Sequence, residues 1–173
     1  EMGLKVHLDG ARIFNAATHL GVPVKDLCEK VDTVMFCLSK GLCAPVGSML
    51  CGAEEVIAEA RLLRKRLGGG MRQAGVLAAA GLYALEHNVE RLAEDHANAE
   101  RLARGLGVEP PQSNMVFIES APGLVEHLAQ HGVIVLPAAR LRLVTHLDVD
   151  AAGVDRAIDI VERALQLFGA PIY

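Results

Sequence analysis

Lys40 stands between Ser39 and Gly41, just after the apolar run Thr33-Val34-Met35-Phe36-Cys37-Leu38, and Asp9 closes a shorter strand-like run, Lys5-Val6-His7-Leu8-Asp9. A lysine in a glycine-flanked turn at the mouth of one buried strand, with an aspartate at the mouth of another, is the pair that a pyridoxal phosphate site needs. The amine can form a Schiff base with the aldehyde once desolvation lowers its pKa. The carboxylate keeps the pyridine nitrogen protonated, so that the ring draws electrons from a substrate. Each residue also has an ordinary reading, the lysine as a solvated surface charge and the aspartate before glycine as a turn or helix cap. Spacing alone leaves both readings open.

Longer words surround the pair. His7-Leu8-Asp9-Gly10-Ala11-Arg12-Ile13-Phe14-Asn15-Ala16, Ser39-Lys40-Gly41-Leu42-Cys43-Ala44-Pro45-Val46-Gly47-Ser48 and Leu67-Gly68-Gly69-Gly70-Met71-Arg72-Gln73-Ala74-Gly75 follow one another in that order, and Arg142-Leu143-Val144-Thr145-His146 comes last. Together they resemble the low-specificity L-threonine aldolases, pyridoxal phosphate enzymes of the aspartate aminotransferase fold type within the beta-eliminating lyases. The resemblance covers nearly the whole chain.

Residue by residue, the resemblance implies that Lys40 is the Schiff-base lysine and Asp9 the partner of the pyridine nitrogen. Arg12, one helical turn beyond Asp9, would lie near the ring and its phenolic oxygen. Arg72 would reach a cofactor phosphate, that of a neighbouring subunit, and Arg142 would grip the substrate carboxylate as a bidentate fork. An arginine near a helix start gains nothing from the helix dipole, which favours a ligand-facing role for Arg12 and Arg72 over a purely structural one. In Arg140-Leu141-Arg142-Leu143-Val144 the alternation also suits a half-exposed strand with an ordinary surface arginine.

The implied activity is cleavage of the Cα–Cβ bond of L-threonine or L-allo-threonine to glycine and acetaldehyde. A small-molecule amino-acid substrate, a homo-oligomer (a tetramer in the resembled family) and a cytoplasmic location come with it, a mitochondrial address being left open. Two other readings stand beside it. One is β-elimination or transamination on the same scaffold, disfavoured by the Gly68 to Gly75 word and by the Arg142 word. The other is a non-catalytic piece that associates with complete subunits. The family has a long segment before the Asp9 strand that carries the phosphate cradle and a ring-stacking histidine, and no histidine here matches that position. The chain is therefore expected to be the C-terminal portion of such an enzyme, inactive alone and left with two open apolar sheet edges.

Composition agrees with a globular α/β protein. Of 173 residues, 51% are hydrophobic and only 3% aromatic, which suits buried parallel strands rich in Ala, Val and Leu. The net charge of −4 has interspersed signs, and Arg61-Leu62-Leu63-Arg64-Lys65-Arg66 ends a helix that starts with glutamates, so it reads as dipole complementation rather than a nucleic-acid patch. Cys28, Cys37, Cys43 and Cys51 form no Cys-x-x-Cys pair and no metal-like set with histidine, as expected of free thiols in a reducing compartment. Ala74 to Leu85 is too short to span a bilayer and reads as a buried helix. Neither nucleic acid nor membrane is an expected partner.

The elements that must position these residues follow from periodicity and turn chemistry. A helix over Ala11 to Leu20 links the Asp9 and Lys40 strands at the spacing of a βαβ crossover, and Val46 to Cys51 is a third strand. Val56, Ala60, Leu63 and Leu67 give the next helix one apolar face, ended by the Gly68 to Gly70 run. Arg72 opens a helix to about Glu86. Asn88 is expected to cap the following one, which carries Val89, Leu92, Ala99 and Leu106 on one stripe and closes at Gly105. Pro110-Pro111 marks a boundary, so residues 1–107 are expected to be the last part of a three-layer αβα cofactor-binding large domain. Residues 108–173 form a small C-terminal α+β domain with strands at Met115 to Ile118, Val133 to Leu136 and Leu141 to Val144, and helices at Gly123 to His131 and Asp150 to Phe168. Of the seven histidines, His19, His87, His96, His127 and His131 fall on or beside helices with no shared face, while His7 and His146 are near enough to the motifs to buttress them.

Overall fold

The computed structural model describes residues 3–169, so Glu1, Met2 and residues 170–173 lie outside the description. Its elements run β1 (His7–Asp9), α1 (Ile13–Leu20), α2 (Val24–Leu27), β2 (Thr33–Cys37), β3 (Ser48–Gly52), α3 (Glu54–Arg66), α4 (Gly75–His87), α5 (Leu92–Leu106), β4 (Met115–Glu119), α6 (Leu124–Gln130), β5 (Arg140–Val144) and α7 (Ala151–Phe168). Two compact units form, Glu1–Arg91 and Leu92–Tyr173.

In the first unit the three strands lie in the order β1-β2-β3, with β1 and β2 parallel and β2 and β3 antiparallel. The crossover α1 buries Ile13 and Ala17, and Phe14 meets Phe36 of β2 edge to face at 5.3 Å. Gly10 is required where the chain leaves β1. A Cβ there would stand 2.9 Å from the Met35 carbonyl oxygen and 3.2 Å from Ile13 Cβ, so only glycine lets the turn come that close to β2. The start of β1 is held by Asp32, whose Oδ1 takes the Lys5 ammonium at 2.8 Å and whose Oδ2 accepts the Val6 N–H at 2.8 Å. These hydrogen bonds, Lys5 first, hold the Asp32 carboxyl below its ordinary value.

The helices α3 and α4 depart from expectation. α3 has Glu54 and Glu55 in its first turn and Arg64, Lys65 and Arg66 in its last, the charge order that complements the helix dipole. Its apolar stripe is not covered, however: Val56 and Leu63 are nearly half exposed and Leu67 is 86% exposed. α4 is not a buried helix either, since only Gly81 and Ala84 are enclosed. Periodicity identified an apolar face in α3, but the described residues leave most of it exposed, only Ala60 of the stripe being half-buried.

The second unit has a true core. Antiparallel β4 and β5 turn Val116, Ile118, Leu141 and Leu143 inward against Ala99, Leu102 and Leu106 of α5, Leu124 and Leu128 of α6, and Val154, Val161 and Leu165 of α7. Asp150 caps α7 by accepting the Gly153 N–H at 2.7 Å. Gly105 lies inside α5, not at its end; a Cβ there would meet Ile158 of α7, so the residue permits close helix contact, and Gly107 at φ 67° makes the left-handed exit. α5 thus groups with the residues after it, and the contact boundary falls at Arg91. Val133 to Leu136 forms no strand. It joins no strand ladder among the described residues, Val133 N–H donating instead to Leu128 O at 2.9 Å and Ile134 standing 86% exposed, so the small sheet has two strands and not three.

Candidate functional site

Parallel pairing brings the carboxyl ends of β1 and β2 side by side, with Asp9 opposite Met35. This edge is where open α/β sheets bind ligands. Ala11 stitches the two ends together: its N–H donates to Asp9 Oδ1 at 3.1 Å, and its carbonyl accepts the Cys37 N–H at 3.3 Å. The turn at Asp9 anticipated by its ordinary reading therefore exists. It occupies one carboxylate oxygen and leaves the second without a hydrogen bond among the described residues. Arg12 follows at the N-cap of α1, half-buried, and its side chain does not cap the helix.

Lys40 rides on a tight loop between β2 and β3. Leu38 N–H donates to the Gly47 carbonyl at 2.9 Å, Ala44 N–H to the Leu38 carbonyl at 3.0 Å, and Cys43 N–H to the Lys40 carbonyl at 2.8 Å. Cys43 takes φ 59°, a left-handed conformation uncommon for a non-glycine residue. Gly41, Leu42 and Ala44 are buried, whereas the Lys40 side chain is exposed and makes no ion pair or hydrogen bond among the described residues. The desolvation expected for its amine is not supplied by this part of the protein.

The middle of the loop is tied to α4. Asn88 Nδ2 donates to the Leu42 carbonyl at 2.7 Å. Asn88 ends α4, with its own N–H on Ala84 O, and does not cap α5. Nothing local in the sequence signals this contact, because it spans 46 positions; an asparagine at a helix boundary is the only hint.

The remaining site residues are carried by other elements. Arg72 lies in the loop before α4, exposed, three residues short of the helix it was expected to open. A helix of 13 residues separates that loop from Asn88, about 20 Å at 1.5 Å per residue, so Arg72 is not brought to Lys40. Arg142 belongs to the second unit, on the exposed face of β5 opposite Phe117. Its neighbour Arg140 pairs with Glu119 at 3.2 Å and lies over the Phe117 ring, while Arg142 has no ion pair or hydrogen bond among the described residues. Thr145, at the end of the same word, is buried. Its hydroxyl donates to Asp95 O at 2.6 Å and its carbonyl accepts from Asn114 Nδ2 at 2.8 Å.

His7 spends Nδ1 on Thr33 Oγ1 at 2.8 Å, a contact between paired strands. His146 lies 3.6 Å from Asp148. His127 and His131 do share a face, with rings stacked at 4.3 Å, which the i, i+4 spacing on α6 dictates. No group of metal-ligating side chains occurs among the described residues, the four cysteines are free thiols, and no described helix is long and apolar enough to cross a membrane.

Residues 1–120 match the family described as Beta-eliminating lyase. The low specificity L-threonine aldolase of Escherichia coli K12 is 46% identical over 86% of this chain and 47% of its own length. Low-specificity L-threonine aldolase 1 of Arabidopsis thaliana is 39% identical over 98% of this chain and 52% of its own. The threonine aldolase structure from Leishmania major superposes with a TM-score of 0.70 at 20% identity, over 93% of this chain and 52% of that one. The chain thus spans about half the length of the relatives it matches. Its architecture is part of the fold-type-I large domain followed by a small α+β unit. With well over half of its residues inside a single family match, this chain belongs to the beta-eliminating lyase family.

Proposed function

We propose that this sequence serves a threonine aldolase-like lyase that splits the Cα–Cβ bond of L-threonine or L-allo-threonine into glycine and acetaldehyde with pyridoxal 5'-phosphate. The observation that carries the reading is that β1, ending at Asp9, pairs in parallel with β2, whose carboxyl end leads into the Lys40 loop, the two strand ends being joined through Ala11. Both functional atoms are open: the Lys40 amine lacks a protein partner among the described residues, and one Asp9 oxygen is uncommitted. The residues present thus fit the cofactor.

When bound, the cofactor supplies an electron sink for the pair released from the breaking bond. Lys40 would hold it through its amine. Asp9, oriented by the Ala11 N–H, would accept a hydrogen bond from the ring nitrogen and keep that proton in place. Arg12 would lie by the ring, and Arg72 would serve a phosphate of a neighbouring subunit in a homo-oligomer. Arg142, its guanidinium uncommitted, takes the substrate carboxylate and so fixes which bond at Cα is aligned for cleavage. In this reading residues 1–107 are the last part of the cofactor-binding large domain, residues 108–173 are a small C-terminal α+β domain, and the enzyme works in the cytoplasm.

The apolar faces of α3 and α4, together with β3, support a further part of the reading. The site is complete only when protein surface covers them, so the 173-residue chain alone is inactive and self-associates. The test is product analysis with a complete subunit carrying this sequence. Equal amounts of glycine and acetaldehyde support the proposal, and an oxo acid with ammonia, the outcome of elimination, overturns it.

A further inference from the structure

The loop that carries Lys40 is short of its own supports. Its backbone bonds close the base at Leu38–Gly47 and the turn at Lys40–Cys43, but they leave the Leu42 carbonyl to be satisfied from elsewhere. A backbone acceptor in a half-buried loop needs a partner, and Asn88 provides it at 2.7 Å. The same helix touches the loop at a second point, where a Cβ on Gly81 would stand 3.2 Å from Leu38 Cδ1. α4 is therefore a brace along the loop, packed at Gly81 and hydrogen-bonded at Asn88. Cys43 shows that the loop is over-determined, because a left-handed cysteine persists only where its surroundings hold it.

We propose that Asn88 is a positioning residue for Lys40: its amide fixes the Leu42 carbonyl and thereby the turn that aims the lysine at the carboxyl edge of β1 and β2. The proposal rests on the reading of Lys40 as the cofactor lysine. Asn88 touches neither cofactor nor substrate in this account and acts only through the loop.

Two measurements on a complete subunit carrying this sequence test it. The first is amide hydrogen exchange without cofactor in Asn88→Asp, which keeps the shape and removes both donors, and in Asn88→Ala. Peptides covering residues 40–47 should exchange about fivefold faster or more, the opening expected from one lost hydrogen bond, with β4, β5 and α7 unchanged. The second is borohydride reduction after adding pyridoxal phosphate, where the share of pyridoxyl label on Lys40 should fall in both variants. If Asn88→Asp unfolds the chain, Asn88→Ala decides by the same readouts. A parent chain labelled at Lys40, with variants labelled and exchanging alike, overturns the role of Asn88 alone. A parent labelled evenly on all its lysines overturns the Lys40 reading and the proposal with it.

Discussion

The two units use their apolar residues in opposite ways. In Leu92–Tyr173, helices α5, α6 and α7 and the β4-β5 pair enclose a single core in which Leu124, Leu128, Leu141 and Val161 have no exposed surface. In Glu1–Arg91, the burial is confined to α1 against β2, to the Lys40 loop and to Gly81 and Ala84 of α4, while every residue of β3 is exposed and α3 buries nothing. Yet the residues proposed to hold a cofactor, Asp9, Arg12, Lys40 and Arg72, all belong to this less enclosed unit. The contrast separates two demands: the second unit encloses its own core, whereas the first presents strand ends and apolar faces that its own residues leave exposed.

The largest effect expected from this contrast is in the second unit. Leu128→Ala should cost about 2–5 kcal/mol in chemical denaturation of that unit, because it opens a cavity in a closed core. A loss well under that would mean the core is looser than its burial implies. In the first unit the most sensitive position is not apolar at all. Gly10→Ala should cost about 1–3 kcal/mol, since the new methyl meets the Met35 carbonyl oxygen and Ile13, and it should shift Asp9 away from β2. Wild-type stability in that variant would show that the turn has slack. Leu63→Asp should change stability by less than about 0.5 kcal/mol while lowering concentration-dependent association in sedimentation, because the side chain is already exposed. Strong destabilisation would mean that α3 is covered after all.

The smallest expected effect is electrostatic. Asp32 has a depressed folded-state pKa because Lys5 and the Val6 N–H bond its carboxylate, so its support of β1 is present above the ordinary aspartate value of 3.8 and is lost as pH falls through the folded value. Exchange of the β1 amides should rise in that acidic window and not at neutral pH. Asn at position 32 should remove the dependence.

Much of the second unit was legible in sequence because its signals are self-contained. The stripe of Val154, Ile158, Val161 and Leu165 specifies α7 without reference to anything else, and the structure adds the Asp150 cap. Val133 to Leu136 was misread for the converse reason: β-branched residues mark a segment fit for a sheet, but a strand exists only when a neighbour takes its hydrogen bonds. The stripe on α3 and the apolar run of α4 misled in the same way, since periodicity reports which face is apolar and not what covers it. At the candidate site the adjacency of the Asp9 and Lys40 strands followed from the βαβ spacing. The bond from Asn88 to Leu42 did not, because it depends on where a distant helix ends.

The central claim is that Lys40, alone among Lys5, Lys25, Lys30, Lys40 and Lys65, is placed to take pyridoxal phosphate covalently. Reducing a complete subunit carrying this sequence with borohydride in the presence of pyridoxal phosphate and mapping the peptides tests this most directly. The account expects the pyridoxyl group on Lys40, with Asp9→Asn leaving the label in place while turnover in a complete subunit falls sharply. Label spread evenly over the five lysines would contradict it.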